Sequence, residues 1–280
     1  MFKESKWAKE IISGQDKNGL WGYFHTLSEP KKTPLTTEQA LRRLLNLGFT
    51  INDEPIQKTV AYMHDCLAGK KKMPDRDEVT HDWGIFTQLM LSTWIRKFTK
   101  EDAYANKIAK TWGGIISFAF QSGKYIHPDY LSAYAQTFNQ KARGGRLVDF
   151  VSFYQVSLIP DYLDTTIEKA VFDYIFSYQH GIYYIYQNPL NVLPDNFRSK
   201  AASKYLAAIE LLSMFPHNKE KLALVINWLN ENKHQDGKWD MGSNVKDAIY
   251  FPLSDSWNKK DSRISDCTFR IERLLKTLIR

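Results

Sequence analysis

Cysteine is nearly missing from this 280-residue chain: Cys66 and Cys267 are the only two, far apart and in no Cys-x-x-Cys pattern. That excludes a disulfide framework and makes a reducing compartment the simpler expectation. Long apolar runs are missing as well. No stretch approaches the roughly 18–20 apolar residues that span a bilayer. The opening "MFKESKWAKEIISG" has no apolar core of signal-peptide length. A soluble, cytoplasmic protein without a membrane span is expected. A phosphate-binding glycine loop, a dinucleotide fingerprint and a nucleophile elbow are also lacking. No cofactor is expected.

Aromatic rings, in contrast, are plentiful. The chain is 43% hydrophobic and 14% aromatic, with 15 Tyr, 16 Phe and 8 Trp. Such a chain buries a large core, which excludes disorder. Most of the rings belong to packing, and a minority can line a pocket. The net charge is +7, from 38 basic and 31 acidic residues. The basic residues are spread out, densest at Lys70–Lys72 and in "KARGGR" (141–146). Nucleic-acid binding needs such residues on one face, so it ranks last among the functions this composition allows.

A loose template recurs: Gln, one to three residues, Gly, one residue, aromatic ring. It fits Gln15/Gly19/Trp21, Gln121/Gly123/Tyr125, Gln179/Gly181/Tyr183 and Gln235/Gly237/Trp239. The glycines lie 104, 58 and 56 residues apart, and a worn copy at Gly69 divides the first gap into 50 and 54. A regular period of this length marks a repeat architecture. A helix-like segment precedes each glycine: Glu4–Gly14, Glu54–Ala68, Ala103–Phe120, Thr165–Tyr178 and Lys219–Asn232. A second follows each loop: Thr36–Leu47, Trp83–Phe98, Pro128–Asn139, Ser199–Phe215 and Ser262–Ile279. The prediction is one all-α domain, 1–280, of five helical hairpins. Residues 147–160 add a short helix, and "GIYYIY" (181–186) is too short and isolated to make a sheet. Thr165 with Glu168 reads as a capping box, Pro128 as a first-turn proline and Gly48 as a helix stop. The glycine turns the chain, the glutamine amide meets unpaired helix-end carbonyls and the ring covers them. On this reading the motif fastens neighbouring hairpins.

"QDKNGLW" and "HQDGKW" resemble the Gln-and-Trp repeat motif of the squalene cyclase and protein prenyltransferase (terpenoid cyclase-like) superfamily. "TTEQALRRLLNLGFTINDEPIQKTVAYMHDCL" (36–67) is similar to an inner helix followed by the next outer helix. The C-terminal "DGKWDMGSNVKDAIYFPLSDSW…SDCTFRIERLLKTL" looks like the closing repeat of bacterial members. The two ends, about a third of the chain, carry the likeness. The resemblance implies an α/α toroid, a barrel of inner helices inside a ring of outer ones. Five hairpins fall short of the six of a full toroid, which implies an open or incomplete ring.

The family's chemistry is not intact here. Protonating cyclases resemble each other in an Asp-x-Asp-Asp segment. In "DYLDTT" (161–166) Asp161, Asp164 and Thr165 match in part, but Leu163 stands where the acid would be. The ordinary reading is a helix cap. Prenyltransferases hold zinc with Asp, Cys and a later His. Asp65-Cys66 and Asp266-Cys267 pair the right types, yet no histidine follows Cys267, and His25, His64 or His81 could join only through folding. No metal is expected. Two carboxylates could also cleave a glycoside. Candidate cavity residues are His81, Asp82, Trp83, His127, Asp129, Tyr130, Asp255, Trp257 and Asp266, at or near the starts of inner helices, where polar groups converge among rings.

The leading expectation is an aromatic central cavity binding a small apolar or carbohydrate-like ligand, whether or not it is catalytic. The alternatives are a non-catalytic helical-repeat scaffold for a protein partner and a basic helical-repeat nucleic-acid binder.

Overall fold

A computed structural model describes residues 2–25, 35–80, 82–217 and 219–279. These residues contain α-helices, short 3-10 turns and no strand beyond two isolated bridges. Helix α1 (Lys6–Ser13) starts at Ser5, whose hydroxyl accepts from the Ala8 N–H. Helix α2 (Thr37–Leu47) has a full capping box. Thr36 Oγ1 accepts from the Gln39 N–H at 3.2 Å, and Gln39 Oε1 accepts from the Thr36 N–H at 3.0 Å. Gly48 ends α2 in the left-handed region, as its sequence position predicts.

Next come α3 (Glu54–Leu67), α4 (Trp83–Phe98), α5 (Ala103–Ala119) and α6 (His127–Phe138), with Pro128 in the first turn of α6. The short α7 (Gly145–Val148) and α8 (Phe153–Leu158), with a 3-10 turn at Pro160–Tyr162, replace the single helix expected over 147–160. Then follow α9 (Thr165–Ser177), α10 (Lys200–Leu212), α11 (Ala223–Glu231) and α12 (Lys260–Ile279). All ten expected helical segments are present. The start of the Lys219–Asn232 segment is a 3-10 turn, Lys219–Leu222. Residues 181–186 make only the bridges Ser152 to Tyr183 and Ile182 to Tyr186.

One cap needs correcting. The N-cap of α9 is Asp164, not Thr165: its carboxylate accepts from the Thr166 and Ile167 N–H groups, both at 3.0 Å. Glu168 cannot close a capping box, because it is buried and accepts from the His217 N–H (2.8 Å) and pairs with the His217 ring (2.9 Å).

The repeat shows in the backbone. Gly19, Gly69, Gly123, Gly181 and Gly237 all have φ between +60° and +84°, the worn copy included. At Gly181 a Cβ would lie 2.2 Å from the Tyr186 carbonyl oxygen, so only glycine fits. The first and last copies match in detail. Trp21 Nε1 donates to the Ile11 carbonyl and Trp239 Nε1 to the Leu229 carbonyl, each ten residues back and each at 2.6 Å. Both rings are buried, so the indole, rather than the glutamine, satisfies the helix-end carbonyl.

Gln15 does the fastening instead. Its amide donates to the Pro55 carbonyl (2.8 Å) and to Thr59 Oγ1 (3.2 Å) on α3, the first helix of the next hairpin. Tyr125 reaches the next hairpin by ring packing, 4.6 Å from Tyr174 on α9. Gln121, Gln179 and Gln235 are exposed.

Helices pair as hairpins, α1 with α2, α3 with α4, α5 with α6 and α11 with α12. Helix α8 packs against both α4 and α10. The two ends of the chain meet. Trp7 Nε1 donates to the Ser254 carbonyl (2.9 Å), the Lys6 N–H to Asp255 Oδ1 (2.7 Å), and Phe2 meets Phe269 edge-on at 5.2 Å. Behind them the buried Arg43 of α2 donates to the carbonyls of Ile249 and Pro252. No helix among the described residues is long and apolar enough to cross a membrane.

Candidate functional site

A cavity of about 370 Å³ opens among α2, α4, α8, α10 and α12. Arg42 and Leu45 of α2, Trp94 and Lys97 of α4, Phe153 of α8, Glu210 and Leu211 of α10 and Leu274 of α12 line it. On α2 the buried stripe Leu41, Leu44 and Leu47 packs into the core, and the adjoining face, Arg42, Leu45 and Asn46, lines the cavity. The walls are mainly apolar, and the charges sit on long side chains.

Arg42 also lines a second cavity of about 440 Å³, shared with His25, Glu38, Glu78, Arg146 and Tyr184. Its centre is Glu38, in the first turn of α2, where a carboxylate is favoured by the helix dipole. Glu38 is 8% exposed and well supplied with donors. His25 Nδ1 lies 2.7 Å from Oε2. The Tyr154 hydroxyl donates to Oε1 at 2.9 Å, Trp94 Nε1 at 3.2 Å and Arg42 at 3.5 Å. Burial works to raise the Glu38 pKa, but the His25 hydrogen bond, the charge of Arg42 and the Tyr154 hydrogen bond outweigh it and leave the carboxyl below the usual glutamate value. Burial and the Glu38 charge keep the Tyr154 phenol protonated, far above the ordinary tyrosine value.

His25 is held from behind. Buried Asp75 accepts from the Phe24 N–H (2.6 Å) and the His25 N–H (2.8 Å), while the Tyr23 and Phe24 carbonyls accept from the first N–H groups of α2. Phe86, Tyr154 and Tyr184 surround the imidazole at ring distances of 5.4, 6.4 and 6.0 Å. With Nδ1 donating to a carboxylate, the neutral ring keeps Nε2 as an acceptor.

The sequence-predicted residues lie elsewhere, and none of those described lines either cavity. His81 lies outside the described residues. Asp82 is buried at the start of α4 and accepts from the Tyr134 hydroxyl (3.0 Å) and the Arg143 N–H (3.1 Å). Trp83 packs on Phe86. His127 meets the Tyr125 hydroxyl at 2.9 Å and stacks near Tyr130, whose own hydroxyl donates to the Leu147 carbonyl. Asp129 is partly exposed in the first turn of α6. Asp255 binds the start of α1, and Trp257 Nε1 donates to the Ser243 carbonyl (2.8 Å). Asp266 is fully buried and accepts from the N–H groups of Leu253 and Ser254 and from the Ser254 hydroxyl; burial raises its pKa.

The zinc residues do not fit a metal. Asp65 is tied to Lys71 at 2.9 Å, and burial pushes the Cys66 thiol up to about 11 and the Cys267 thiol up to about 12. Among the described residues no three His, Cys, Asp or Glu side chains gather as a ligand set. Asp161 of the cyclase-like segment pairs with Arg96 and Lys100. The basic loops also engage separate carboxylates, Lys71 with Asp65, Arg143 with Asp82 and Arg146 with Glu78.

Glu38 is not among the residues expected at the cavity, although the sequence carries a signal for it: "TTEQ" is a capping box with an acid in the first turn of a helix. Tyr154 and Trp94, distant in sequence, carry none. No family model, curated protein or solved structure matches the chain.

Proposed function

We propose that this chain is a toroid-like helical barrel that binds a small, largely apolar ligand in the cavity between its inner helices, with the polar end of the ligand at Arg42 and the His25–Glu38–Tyr154 cluster. The observation that carries the reading is that α2, α4, α8, α10 and α12 all contribute to one cavity. The meeting of α1 and α2 with residues 249–255 supports a ring rather than an open row. On this reading α8 takes the inner place in the third unit, with α6 packed against α5. The mainly apolar walls favour an apolar ligand over a sugar. Of the large exposed apolar side chains, Val79, Val192 and Ile279 come from separate segments and Tyr104 and Phe118 from opposite ends of α5, which lends a protein-docking surface little support.

Native mass spectrometry of gently purified protein, alone and with added 1-octanol, tests the reading. A retained or added small molecule is expected in the natural chain and not in Ala207→Phe, which fills the cavity from α10. Equal binding by the folded variant would remove the ligand from this cavity.

A further inference from the structure

Among the described residues Lys97, unlike Arg42 and Glu210 of the same cavity, has no oppositely charged partner. It stands on α4, lines the cavity, and its Nζ lies 3.4 Å from Met214 Sδ and 5.7 Å from the centre of the Phe153 ring. A thioether is a poor acceptor for an ammonium. The nearby acids are engaged elsewhere. Glu38 is held by His25 and Arg42, Glu210 by Arg270 at 2.9 Å, and Asp161 by Arg96 and Lys100. Among the described residues no salt bridge reaches Lys97, and the cations Arg42 and Arg273 line the same cavity.

The surroundings act on the amine in one direction. Packing of protein around Nζ removes water, and the charges of Arg42 and Lys100 add to that, against a weaker pull from Glu210. The ammonium is brought down to about 7. A lowered pKa increases the share of free amine, the nucleophilic form, near neutral pH.

We propose that Lys97 is a nucleophilic amine that captures an apolar aldehyde or ketone in the central cavity as an imine. The Nζ lone pair attacks the carbonyl carbon, a C–N bond forms, and the C=O pair moves onto oxygen. The carbinolamine then loses that oxygen as water, with the two hydrogens that the amine contributed, and leaves a C=N bond. Atoms balance as amine plus carbonyl giving imine plus water, with no oxidant or reductant. Leu45, Leu211 and Leu274 would hold the apolar body of the ligand, and the exclusion of water would slow hydrolysis of the imine.

This inference rests on the cavity reading, and its test separates the two. The protein is treated with octanal and sodium cyanoborohydride at pH 7.5, and the reduced adduct is located by peptide mass spectrometry. Lys97 is expected to be labelled at least tenfold faster than any other lysine, with a rate that rises through pH 7. Surface lysines should respond only toward pH 10. Lys97→Arg, checked for folding by circular dichroism, should abolish the fast adduct. If octanol binds by native mass spectrometry but octanal labels only surface lysines, Lys97 is no nucleophile and the cavity reading stands. If neither molecule binds, both ideas fall.

Discussion

Glu38 keeps a negative charge where little water reaches it, and the arrangement survives because every neighbour donates to it. His25, Arg42, Tyr154 and Trp94 approach from different parts of the chain. Removing the charge leaves Arg42 short of a partner in a confined space, which typically costs about 3 kcal/mol. Glu38→Gln is therefore expected to lower stability by roughly that amount at pH 7 in urea unfolding. The pH dependence follows from the depressed pKa. The carboxylate stabilises the fold above its ordinary value of 4.5, and that contribution fades as pH falls through the lower folded value. The gap between the natural chain and the variant should narrow below pH 4.5. A gap of constant size would mean that shape and packing, rather than charge, set the cost. Much of this site was illegible in the sequence. Asp82, Asp255 and Asp266 were expected near helix starts, and only the fold shows that their oxygens are taken up by backbone N–H groups of other segments.

At the scale of the element, the helices were readable because apolar spacing, caps and stops act locally. Trp83–Phe98 is helical over the expected span, and α3 and α5 differ from expectation only at the last residue. The role of the repeat motif was readable only in part. The glycines share one backbone conformation, but the glutamines do not share one function. Gln15 spans to α3, whereas Gln235 lies in solvent. Gln15→Ala should cost about 1–2 kcal/mol, since the buried Thr59 and the Pro55 carbonyl lose a donor. Gln235→Ala should stay within about 0.5 kcal/mol of the natural chain. Thermal unfolding of the two variants side by side decides this. Equal losses would mean that the amide acts within its own turn instead of between hairpins.

The whole molecule depends on whether the contacts between its ends carry energy. In an open row of hairpins each unit leans only on its neighbours, and a change in the first is not felt in the last. In a closed ring the first and last units are neighbours too. Arg43 is the most informative place to look. It is 4% exposed, it belongs to α2, and its guanidinium serves carbonyls more than 200 residues away in the segment before α12. Burial lowers its pKa to about 10, with Asp247 and Asp266 pulling the other way, so it remains charged at neutral pH. Arg43→Met keeps the apolar stem and removes the donors. Hydrogen exchange is the suitable probe, because it reports local opening segment by segment. A ring predicts faster exchange in residues 245–257 and in α12 as well as around α2, with α5 and α6 unchanged. The loss should correspond to about 2–3 kcal/mol for two buried carbonyls deprived of a charged donor. Faster exchange confined to α1 and α2 would mean that the ends touch without supporting each other, and the cavity would then lie in an open groove rather than inside a closed barrel.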